Sequence, residues 1–143
     1  MKTNKKPKKI VALNPEKDQK MDVETDTRSE RPPIIIFTNF TRFKLGQVLA
    51  TQGSIALLEK TGFSAAALLN RHVHGDWGNI CKEDRASNEY AVPNKQRIMS
   101  VYRLIDASKL AATPESKRAE LPTIWIISEA DRSSTTILLP SEY

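Results

Sequence analysis

Apolar positions change period part-way along the chain. In Ile55-Ala56-Leu57-Leu58-Glu59-Lys60 they recur at helical spacing, with Ser54 placed as N-cap and Gly62 as a left-handed terminator. A second short helix follows, with Ser64 as N-cap, Ala65 to Leu69 as its body and Asn70-Arg71-His72 as its last turn. Asn79 to Tyr90 keeps a helical pattern in which Ile80, Cys81, Asp84, Asn88 and Tyr90 share a buriable face, and Pro93-Asn94 ends it. Beyond Pro93 the pattern turns strand-like. Arg97 to Arg103 alternates, Thr123 to Ser128 is dense in β-branched and aromatic residues, and Thr135 to Leu139 is a third run closed by Pro140. Residues 106–122 are too long and polar for a connection between neighbouring strands and read as an insertion. Short helices followed by a small antiparallel β-meander make an α+β domain.

The N-terminal part reads differently. Residues 1–32 hold little branched or aromatic apolar material beyond Ile10-Val11-Ala12-Leu13, too little to offset the entropy of ordering, so they are expected to form a disordered basic tail. Order is expected to begin at Pro32-Pro33, with Ile34 to Phe37 as an extended entry into a single domain spanning 33–143. Composition sharpens this division. The formal charge is +5, but Lys2, Lys5, Lys6, Lys8 and Lys9 account for much of it, so the basicity belongs mainly to the tail. No apolar run reaches the roughly 20 residues of a membrane span, which predicts no membrane partner. The single cysteine, Cys81, excludes an internal disulfide and fits a cytoplasmic protein.

Two loops concentrate candidate chemistry. Arg71-His72-Val73-His74-Gly75-Asp76-Trp77-Gly78 contains both histidines of the chain, a carboxylate and a tryptophan. Histidine is the natural acid–base near neutral pH, and Asp76 can hold an imidazole in one tautomer. The same residues have a structural reading: His72 capping a helix C-terminus, Asp76 capping the next helix, and Trp77 plugging the core. In the second loop, Ser128 to Thr136, Arg132 beside hydroxyls suits a phosphate or carboxylate, whereas Asp131 and the serines also suit an ordinary turn. As a nuclease set these residues are His72, His74, Arg97, Arg132 and Thr136, a base, an acid and phosphate ligands for cleaving RNA without metal. As a binding set they are Asp76, Trp77, Asp131 and Thr135. No spaced ligand pair marks a metal site, and no glycine loop marks a nucleotide cofactor, so neither is expected.

Arg71-His72, Gly75-Asp76-Trp77-Gly78, Asp84, Asn88 and Arg97-Ile98 form one distinctive block. Ile124-Trp125-Ile126-Ile127-Ser128-Glu129-Ala130-Asp131-Arg132-Ser133, Thr135 to Pro140 and Tyr143 form another. Together, over residues 46–143, they resemble a family of small proteins carried on plasmids and integrative conjugative elements. Some members are labelled plasmid-related protein or type I restriction endonuclease subunit M. The resemblance implies an accessory role on a mobile element, with a protein or nucleic acid as partner. A methyltransferase would need a doubly wound sheet and a glycine loop, for which this chain has neither the length nor the residues. In outline, helices before a meander with His, Arg and Thr-Thr also resemble the barnase/EndoU/colicin/RelE-like ribonucleases, which implies the nuclease set as the alternative.

Overall fold

A computed structural model of the chain describes residues 10–13 and 41–143. The rest of the expected tail, and the expected entry at Ile34 to Phe37, lie outside the described residues. The elements run β1 (Ile10–Leu13), β2 (Gln47–Thr51), α1 (Gln52–Thr61), α2 (Ala65–Val73), α3 (Lys82–Asn94), β3 (Ile98–Arg103) and α4 (Ala107–Ala112). A 3-10 turn (Glu115–Glu120), β4 (Thr123–Ser128), β5 (Ser134–Leu138) and a last 3-10 turn (Pro140–Glu142) complete them. The architecture is α+β.

The C-terminal strands form the expected meander, β3 antiparallel to β4 and β4 antiparallel to β5. The sheet does not stop there. β2 joins β5 in parallel and β1 joins β2 antiparallel, giving a five-stranded mixed sheet in the order β1-β2-β5-β4-β3. A parallel pair needs a long crossover, and the three helices with the β3–β4 hairpin supply it. Ile10–Leu13, which the sequence places in the tail, therefore belongs to the sheet.

Local chemistry sets the helix limits. Thr51, not Ser54, caps α1: its hydroxyl accepts from Ser54 N–H at 3.1 Å, so the helix starts earlier than Ser54 implies. Gly62 ends α1 at φ 81°, and Ser64 caps α2 through Ala67 N–H, both as expected. α3 starts later than Asn79 because Cys81 is its N-cap, exposed rather than buried in a helix face. Tyr90 is likewise 60% exposed, and the buried residues of α3 are Asn88 and Ala91. The segment 106–122 forms α4 and the 3-10 turn, neither of which buries a residue.

Register puts Val48, Ala50, Ile98, Ser100, Tyr102, Ile124, Ile126, Ser128, Thr135 and Ile137 on one face of the sheet. Leu58, Leu68 and Leu69 of α1 and α2 complete the core over it. Ala91 of α3 packs with Trp77 and Ile98 in a second cluster beside β3.

Candidate functional site

Three polar residues on that buried face, Ser100, Ser128 and Thr135, would each cost free energy if left unpaired. His72, at the end of α2, serves two of them. Its Nδ1 lies 2.6 Å from Ser100 Oγ and its Nε2 2.9 Å from Ser128 Oγ, and the ring is 0% exposed. The proton order follows from the far end. Thr135 donates to the carbonyl of Leu45 at 2.7 Å, so it accepts from Ser128, 2.7 Å away. Ser128 therefore accepts from Nε2–H, and Ser100 donates to Nδ1. Burial holds the imidazole neutral, with its pKa down at about 3, and the nearby Arg132 guanidinium pushes the same way. With both nitrogens taken inside the core, His72 is not a base for an external substrate, nor a helix cap facing solvent. Thr135, also 0% exposed, is not a contact for a partner.

The Gly75–Gly78 loop is equally occupied. Trp77 is 0% exposed, plugging the core as its structural reading expected and closed to a partner. Its indole donates to Glu89 at 2.9 Å, Glu89 pairs with Arg42 at 2.8 Å, and Phe43 stacks on the ring at 6.2 Å. Asp76 pairs with Arg71 at 2.7 Å and accepts from Gly78 N–H, contacts that hold its carboxyl below the usual range. It closes its own loop rather than capping α3. The Tyr102 hydroxyl donates to the Asp76 carbonyl at 2.6 Å, while burial raises its pKa. Gly78, at φ 80°, bridges to Val101, whose carbonyl leaves no space for a Cβ.

Arg132 belongs to the fold as well. From a left-handed backbone position (φ 60°) its guanidinium donates to the carbonyls of Ala91 at 2.9 Å, Gln96 at 2.7 Å and Glu129 at 3.0 Å, closing the C-terminal end of α3. Asp131 accepts from Ser133 N–H at 3.0 Å, the turn role weighed for it. His74 Nδ1 donates to the carbonyl of Asn70 at 2.7 Å. Thr136 points to the opposite face of the sheet from Thr135 and His72, as does Arg97, which pairs with Glu129 at 3.2 Å. The nuclease set is thus divided between two faces and does not converge on one cleft. Among the described residues, no three His, Cys, Asp or Glu side chains gather where a metal ion would sit.

That opposite face carries the surface missed by reading the loops alone. Met99, Val101 and Arg103 of β3 and Thr123, Trp125 and Ile127 of β4 line it, and Arg97, just ahead of β3, joins them through Tyr143 against Trp125. A groove of about 610 Å³ runs over Met99, Val101, Arg103 and Trp125, walled by Ile80, Leu121 and Pro140 among others. Tyr143, 69% exposed, lies edge-on against Trp125 at 5.4 Å, and its hydroxyl accepts from Arg97 at 2.8 Å. Arg103 donates to Thr123 Oγ1 at 2.6 Å. The alternation of Arg97, Met99, Val101 and Arg103 against Ile98, Ser100 and Tyr102 was the sequence signal for this face.

No protein-family model, curated protein or solved structure matches the chain. No described helix is long and apolar enough to cross a membrane.

Proposed function

We propose that the chain is a non-enzymatic accessory module of a mobile element that binds its partner on the Arg97–Arg103 face, and that this partner is single-stranded nucleic acid. One observation carries the reading: Trp125 and Tyr143 sit between Arg97 and Arg103 on a single accessible face, while His72, one of the two acid–base candidates, is locked in the core. Aromatic rings flanked by guanidinium groups stack bases and meet phosphates without demanding a sequence. The mobile-element assignment is supported by the resemblance of the two motif blocks to plasmid-borne proteins.

The test is fluorescence anisotropy with a labelled single-stranded oligonucleotide. Micromolar binding that weakens with salt is expected. Trp125→Ala should weaken it roughly 10-fold, since stacking of a base is worth about 1–3 kcal/mol, and Arg103→Ala should lower the salt slope. No binding at low salt would remove nucleic acid as partner and leave a protein in its place.

A further inference from the structure

The two edges of the sheet are closed in different ways. Along β3 the outward backbone groups are taken by side chains and loop from within the domain. Asn88 accepts from Met99 N–H at 3.2 Å and donates to Met99 C=O at 2.8 Å, like a rung of a strand. Val101 N–H donates to Trp77 C=O at 3.1 Å, and Asn79 N–H donates to Val101 C=O at 2.6 Å. Arg103 N–H then donates to Asn79 Oδ1 at 3.0 Å. At the other edge, among the described residues, closure rests on β1, four residues paired antiparallel from Ile10–Thr51 to Leu13–Val48. In sequence, residues 14–46 separate that strand from β2.

Closing so long a connection carries an entropic cost that four backbone pairs must offset, and a four-residue strand lies at the short end of the usual range. β1 is thus the least secured strand of the sheet. Beneath it, β2 is anchored independently, by its parallel ladder to β5 and by Val48 and Ala50 in the core. Loss of β1 leaves a formed, rigid edge.

We propose that the outer edge of β2 is a peptide-binding edge, occupied in cis by Ile10–Leu13, and that its partner is an extended apolar protein segment adding antiparallel to Gln47–Thr51. The resident strand has the sequence required, Ile-Val-Ala-Leu, without charge or proline. Main-chain pairing supplies the affinity in this mode of recognition, and alternate side chains supply the selection. Because a tethered strand competes at an effective concentration of about millimolar, a partner succeeds with a longer strand or by drawing the N-terminal segment away. This edge is separate from the Arg97–Arg103 face, so neither proposal depends on the other.

The experiment uses the full chain with Val11→Pro and Ala12→Pro, neighbouring positions of which one must donate to β2, and a labelled peptide of residues 8–14. The variant should bind the peptide at least about 10-fold more tightly than the unaltered chain, given the loss of the tethered competitor. A folded variant that does not bind overturns the proposal. Should the variant fail to fold, a second chain decides: Cys81→Ser with Ala12→Cys and Leu49→Cys, residues directly opposed across β1 and β2. Oxidation should lock β1 and abolish peptide binding that reduction restores. Equal binding in both states, or none in either at about 1 mM peptide, overturns the proposal.

Discussion

His72 shows how completely a titratable residue can be absorbed into a core. Its two nitrogens are the middle of a one-way relay from Ser100 to the Leu45 carbonyl, so removing it takes the acceptor from the Ser100 hydroxyl, takes a donor from Ser128 and leaves a void. His72→Ala should cost about 3–5 kcal/mol, read as a shift in the urea midpoint. The folded pKa of about 3 lies below the ordinary 6.5, so the unfolded chain takes up the proton first as pH falls. The stability His72 contributes is whole above about pH 6.5 and is lost between there and about pH 3. Two pH units below 6.5 should remove about 3 kcal/mol. Urea unfolding at pH 7 and pH 4.5 checks this, and His72→Leu should lack that part of the slope. The sequence offered His72 as a base or a helix cap because Ser100, Ser128 and Thr135 lie far along the chain. Only the strand register brings them under the ring. Trp77 was legible as a core plug, since so large an aromatic side chain is highly buried on average even within a polar loop. Arg132 was not, because the carbonyls it closes belong to another element.

Among the elements, the caps were readable in part: Thr51 and Cys81 cap α1 and α3 where the sequence pointed to Ser54 and Asp76. Ser64 and Gly62 act through their immediate neighbours, which sequence shows directly. β2 was unreadable for the opposite reason: Gln47-Val48-Leu49-Ala50-Thr51 runs into α1 without a turn, and its strand character comes from β5, more than 80 residues away. The lock on β3 can be tested by replacing Asn88. Asn88→Leu leaves the amide and carbonyl of Met99 without their partner, at a cost of about 2–4 kcal/mol. It also bares an edge that can pair with another chain. A lower melting temperature together with earlier elution in size-exclusion chromatography is expected. A variant that is both stable and monomeric would show that the amide does not guard this edge.

On the scale of the whole molecule, the helices ahead of the C-terminal meander were legible, whereas the two strands that precede them and the mixed sheet were not, because parallel pairing leaves no local mark. The insertion separates stability from binding. None of the residues of α4 or of the following 3-10 turn is buried, yet Ala119 and Leu121 wall the groove beside Trp125. Replacing residues 106–121 with a short turn should change unfolding free energy by no more than about 1 kcal/mol, while oligonucleotide affinity falls several-fold in the anisotropy assay. The unequal edges of the sheet also set a limit on stoichiometry. If two molecules lost β1 and joined at β2, the combined sheet would show only β3 edges to solution, each already bonded to its own asparagines. Such an assembly has no end from which to lengthen, and a fibre of these chains cannot grow beyond a pair.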